Sequence, residues 1–124
     1  MYKLLALDLD GTLTNSKKKI STHNREKLIE AQQQGIQLIL ASGRPTYGIV
    51  PLANELCMDQ YEGYILSYNG GEIIDWTSKE ILYEKKIDSN LLPYLYVQSK
   101  EADVTILTYD GPEIILRHFL GGWK

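Results

Sequence analysis

A chain of 124 residues, 44% of them hydrophobic and 23% charged, has the length and composition of one ordinary folded domain, not of a disordered tail, a collagen-like repeat or a disulfide scaffold. Such a domain buries roughly two thirds of its unfolded surface, enough for a core without a metal or disulfide staple. With 13 basic against 16 acidic residues the net charge is -3, which argues against nucleic acid as a partner, and the absence of an apolar run near the ~20 residues that cross a bilayer argues against a membrane.

The lone Cys57 has no intramolecular disulfide partner and points to a reducing compartment. Near the amino terminus, Lys3 and Leu4 to Leu7 are followed at once by Asp8, which leaves no apolar signal core, so a cytoplasmic protein is expected. His23, Cys57 and His118 are too scattered to suggest a zinc cluster.

In chain order, Leu4 to Leu9 is a short apolar run ending at Asp10-Gly11-Thr12, the pattern of a buried strand. Lys17-Lys18-Lys19 is the single basic run; it reads as a solvated loop face, with the alternative that it attracts an anionic ligand. Ser21 or Thr22 caps an amphipathic helix closed by Gly35. Ile36 to Ala41 is a second strand, broken by Ser42-Gly43-Arg44-Pro45. Tyr47 to Met58 reads as a second helix, with Pro51 forcing a late start or a kink. Gly63 to Tyr68, Asn69-Gly70 and Glu72 to Trp76 read as a third strand entering a hairpin. Strand-helix-strand-helix-strand order implies right-handed crossovers and a parallel sheet. Beyond it, Ile81 to Ile87 reads as a strand, Asn90 to Lys100 as a helix, and Val104 to Tyr109 with Glu113 to Leu116 as a hairpin around Asp110-Gly111-Pro112, together the look of a separate α+β unit.

Asp8 and Asp10 stand two apart, so an extended backbone sends both carboxylates from one face at the strand's carboxyl end, where open α/β sheets bind ligands. Carboxylates this close repel unless a cation intervenes. One can act as nucleophile and the other as general acid and base, with a hard cation such as Mg2+ neutralising the pair; equally, Asp-Gly is a common strand-ending turn. Ser42, Gly43 and Arg44 end the second strand at the same edge. A hydroxyl, a main-chain N-H beside a glycine and a guanidinium together suit a phosphate group, while a capped loop is the plainer reading. Asn69, at the end of the third strand, joins that edge either as a turn residue or facing a ligand.

Asp8-Leu9-Asp10-Gly11-Thr12-Leu13 resembles the first signature of the haloacid dehalogenase-like (HAD) superfamily. Ile39-Leu40-Ala41-Ser42-Gly43-Arg44 is similar to the second, and Tyr68-Asn69-Gly70-Gly71 resembles the turn after the third strand in the Cof-type sugar-phosphatase branch. The resemblance implies an α/β fold: a partial Rossmann-like parallel sheet with helices on both faces over 1-80, the N-terminal half of the core, then over 81-124 the truncated beginning of an inserted α+β cap domain. It also implies a Mg2+-dependent phosphomonoester hydrolase acting on small phosphorylated metabolites such as sugar phosphates. Asp8 would form an aspartyl-phosphate, and Asp10 would protonate the leaving oxygen and then activate water. Ser42 and Gly43 would hold phosphoryl oxygens, Arg44 and Asn69 would line the substrate side, and Mg2+ would bind the Asp8 carboxylate and the Asp10 main-chain carbonyl.

The branch's later lysine and acidic Gly-Asp signatures are absent, and Phe119 to Lys124 does not resemble a continuing cap. Without them the charge developed in phosphoryl transfer loses a term usually worth several kcal/mol. The alternative is therefore a catalytically incomplete fragment that binds phosphate or a partner chain without turnover; a phosphomutase is a third option. Leu4 to Leu9 would also become an apolar sheet edge, inviting a homo-oligomer unless the last residues fold back over it.

Overall fold

Leu4–Asp8 form β1, and the run ends where Gly11 adopts φ +80, a backbone open to glycine, so that the chain can turn back at once. The computed structural model describes residues 1–117; the expectations attached to His118 and to 119–124, including a return over the edge of β1, lie outside the described residues. Thr22–Gln33 form α1, with Ser21 Oγ accepting the Asn24 N-H at 3.2 Å, which satisfies one of the donors a helix leaves free at its start. Gln37–Ala41 form β2, parallel to β1.

The second helix, α2, spans only Val50–Glu55, shorter than the Tyr47 to Met58 stretch expected. Pro51 lies in its first turn, the place where a missing N-H costs nothing, and the residues before it form a separate 3-10 turn, Thr46–Gly48. Tyr64–Ser67 (β3) continue the parallel sheet, and Glu72–Asp75 (β4) return antiparallel, with Ser67 opposite Glu72. Ile81–Glu84 (β5) add a further antiparallel strand, giving the order β1-β2-β3-β4-β5.

That sheet belongs to a first unit, Met1–Lys85, which takes in the strand that the sequence grouped with the following segment, because β5 pairs with β4. The second unit, from Lys86 onward, holds α3 (Leu92–Glu101) and the hairpin of β6 (Ile106–Asp110) and β7 (Glu113–Arg117).

One apolar cluster organises the first unit. Leu38, Leu40 and Ile65 from the sheet are buried together with Leu52, Ala53 and Leu56, and Leu28 of α1 packs against them. Gln32 Nε2 of α1 donates to Leu56 O at 2.8 Å, just past α2, so both helices share this face. The alternate residues Ile39 and Leu66 are only half-buried, and Leu4 and Ala6 are exposed. The α/β class is as the sequence indicated; of the two faces expected to carry helices, the described residues of this unit cover one. Two crossovers of the same hand running in the same direction account for that arrangement.

Candidate active site

The parallel register sets Asp8, Ala41 and Leu66 side by side across β1, β2 and β3. The segments that leave these strands therefore emerge at one edge: Asp10 and Gly11 after β1, Ser42 to Arg44 after β2, and Tyr68 to Gly70 after β3. This is the carboxyl edge of the parallel strands, where α/β sheets place their ligands.

The turn after β1 is fastened from within. The Leu13 N-H donates to Asp8 O at 3.1 Å, the Thr14 N-H to Leu9 O at 2.9 Å, and the Thr14 hydroxyl to the same carbonyl at 2.9 Å. Leu9 and Leu13 sink into the core beneath it, which leaves Asp8 and Asp10 on the accessible side. The Thr12 hydroxyl reaches Asp8 Oδ2 at 3.4 Å.

Arg44 grips Asp10 with a two-pronged fork: Nη2 to Oδ1 at 2.6 Å and Nε to Oδ2 at 3.1 Å, while Nη1 donates to Gly48 O at 3.2 Å. A planar guanidinium matches a carboxylate in this way where an ammonium does not. Lys18 Nζ adds a contact of 2.6 Å to Asp10 Oδ1. The Arg44 hydrogen bonds, and then that of Lys18, hold the Asp10 carboxyl at about 2, below its ordinary 3.8. The arrangement is thus that of ionised Asp10, and a proton-donor role requires the two cations to let go of it.

The loops after β2 and β3 are stitched to each other. The Arg44 N-H donates to Ser42 Oγ at 3.1 Å, the Asn69 N-H to Ser42 O at 3.2 Å, and the Tyr68 N-H to Arg44 O at 3.0 Å. Tyr68 and Asn69 take φ of 52 and 55, a left-handed backbone that a bulky aromatic rarely adopts and that persists only where its surroundings hold it. Gly43 stands close to Asn69: a Cβ there would lie 2.8 Å from Asn69 Oδ1, so the asparagine side chain would have to move aside.

The structure therefore joins Asp10 with Arg44, and Ser42 with Gly43, Arg44 and Asn69. Asp8 sits at the same edge, held by its own turn. Two features went unread in the sequence. Lys18 contacts Asp10, whereas its run reads as a solvated face or as an attractor of an anionic ligand, not as a partner of a site carboxylate. Thr46 Oγ1 donates to Glu72 Oε1 and lies 2.6 Å from the buried Ser67 Oγ, pinning the 3-10 turn after Arg44 to the β3-β4 hairpin. Nothing in the spacing of residues 46, 67 and 72 signals that meeting beyond the cross-strand pairing of the last two.

Among the described residues no three His, Cys, Asp or Glu side chains gather as a metal site. The Asp8 carboxylate and the Asp10 carbonyl are nevertheless hard oxygen donors of the kind Mg2+ accepts, an ion that binds through one or two carboxylates and keeps several waters. No helix among the described residues is long and apolar enough to cross a membrane.

An α/β sheet with carboxylates, a Ser-Gly-Arg loop and an Asn-Gly turn brought to its carboxyl edge defines the class. A family model described as haloacid dehalogenase-like hydrolase matches residues 5–119, and the chain belongs to that family. The crystal structure of a haloacid dehalogenase-like hydrolase from Bacteroides thetaiotaomicron is 61% identical, with a TM-score of 0.87, over 98% of this chain and 46% of that one. The Bacillus subtilis protein YxeH is 30% identical over 114 residues, 92% of this chain and 42% of its own length. The 5-amino-6-(5-phospho-D-ribitylamino)uracil phosphatase YcsE of the same organism is 35% identical over 85 residues, 68% of this chain and 32% of its own length. The chain thus spans less than half the length of these relatives.

Proposed function

We propose that the chain carries the nucleophile half of a phosphomonoester hydrolase site acting on small phosphorylated metabolites, sugar phosphates among them. The observation that carries this reading is the convergence at one sheet edge of Asp8, Asp10 clasped by Arg44, and the Ser42-Asn69 loop pair. Phosphatases among the relatives support it, and favour it over a fragment that binds without turnover.

In this reading Asp8, at the open end of β1, attacks phosphorus. The P-O bond to the leaving group breaks as an aspartyl-phosphate forms, and Asp10, once protonated, passes its proton to the leaving oxygen. Asp10 then takes a proton from the water that attacks phosphorus, returning Asp8 and releasing inorganic phosphate. Ser42 and the Gly43 backbone hold phosphoryl oxygens, and Arg44 offers its fork to the ester. Mg2+, bound through Asp8 and the Asp10 carbonyl, would neutralise charge on the phosphoryl group. The setting would be cytoplasmic, consistent with the single Cys57.

The test is release of p-nitrophenol from p-nitrophenyl phosphate by the purified chain with Mg2+ and with EDTA. Release that needs Mg2+ and falls at least ~100-fold in Asp8→Asn is the expected outcome. Release equal in the two proteins would overturn the reading.

A further inference from the structure

The three ammonium groups of Lys17, Lys18 and Lys19 are not equivalent. Lys18 Nζ lies 2.6 Å from Asp10 Oδ1, the same oxygen that Arg44 Nη2 reaches at 2.6 Å; Lys17 and Lys19 reach no carboxylate among the described residues. The loop backbone selects the middle lysine. Asn15 Oδ1 accepts the N-H groups of Lys17 at 2.9 Å and Lys19 at 3.2 Å, the Asn15 N-H donates to Lys19 O at 3.0 Å, and the Lys18 N-H donates to Asn15 O at 2.9 Å. Closed on its own asparagine, the loop holds Lys18 at φ 60, a region that lysine seldom occupies.

Stability does not explain this construction. The Lys18 and Asp10 side chains are 65% and 42% exposed, and exposed ion pairs contribute little. Asp10 is already matched by the Arg44 fork, so Lys18 is a second cation on one carboxylate oxygen, beside a like charge. Such a group gains by finding another anion.

We propose that Lys18 is a ligand-binding residue of this site, whose ammonium group leaves Asp10 for a non-bridging oxygen of the phosphate ester and faces it alongside Arg44. The inference rests on the phosphate reading above and deepens it, because two cations on one phosphoryl group favour the dianion of a monoester over the monoanion of a diester.

The test is titration of the full chain with inorganic phosphate in the presence of Mg2+, followed at the Gly43 and Arg44 amides by nitrogen-15 NMR. Lys18→Gln is expected to weaken binding about 5- to 20-fold, the scale of one partly exposed charge-assisted hydrogen bond, and Lys18→Arg to restore most of it. Lys18→Gly, which relaxes the φ of 60 and keeps the loop, should weaken it equally, separating loss of the ammonium from loss of folding. Lys17→Gln and Lys19→Gln remove the same charge from the same loop and should change binding less than about twofold. Unaltered binding in Lys18→Gln, or equal weakening in all three Lys→Gln variants, overturns the inference. If Ser42→Ala and Arg44→Gln weaken binding while Lys18→Gln does not, the phosphate reading stands and this inference alone falls. If the unaltered chain does not bind phosphate, both fall.

Discussion

At the scale of the residue, the Arg44-Asp10 clasp makes acidity a reporter of structure. Its folded carboxyl titrates at about 2 against an ordinary 3.8. A depressed carboxyl stabilises the fold at pH values above its unfolded value, and that contribution is lost as pH falls through the folded one. The window is therefore from about 3.8 down to about 2. Carbon-13 NMR titration of the Asp10 carboxyl is expected to give a midpoint near 2, moving upward in Arg44→Gln; a midpoint of 3.8 in the unaltered chain would mean that the clasp does not form in solution. Asp8, Asp10, Ser42, Gly43, Arg44 and Asn69 were legible as candidates because each stands at the end of an apolar strand, and strand ends are readable from hydrophobic pattern. Lys18 was not, because its position depends on an asparagine gathering two amides and on one left-handed residue, neither of which leaves a periodic trace. Thr46, Ser67 and Glu72 meet only once the sheet is assembled.

Elements show a similar division. Strand β2 carries two faces of unequal burial, Leu40 fully buried in the apolar cluster and Ile39 half-exposed on the other side. Leu40→Ala is expected to lower unfolding free energy by about 2 to 5 kcal/mol, and Ile39→Ala by clearly less, in urea denaturation. Equal losses would show that Ile39 is as covered in solution as Leu40. Apolar runs alone do not reveal this asymmetry, since Ile36 to Ala41 reads as one apolar run, as strands destined for burial on two faces do. The start of α2 was readable only as a conflict between helical periodicity and Pro51; backbone sterics resolved it by delaying the helix to Val50. Ser21 and Gly35, by contrast, marked the ends of α1 through capping chemistry that is local in sequence.

For the whole molecule, β1 is the edge of its sheet among the described residues, with Leu4 and Leu5 well exposed. An apolar unpaired edge is a template for another strand, and we propose that a second copy of the chain supplies one. Sedimentation velocity is expected to find the purified chain self-associated, with Leu4→Lys shifting it toward monomer; a chain that stays monomeric at every concentration would remove the proposal. The matched relatives are more than twice as long as this chain, so most of their length has no counterpart in it.

Because the three parallel strands run the same way, the sheet has a working end and an idle one. Asp8 lies at one end of β1 and Leu4 at the other, about 13 Å away at the usual rise per strand residue. Met1 to Lys3 are exposed and extend from the idle end, with the Lys3 carbonyl accepting the Gln37 N-H at 2.8 Å. An affinity tag, a fluorophore or a tether to a sensor surface joined at Met1 would hang at the end of the sheet away from Ser42, Arg44 and Asn69, so immobilisation through the amino terminus keeps the attachment point off the carboxyl edge of the strands, whichever ligand is being screened.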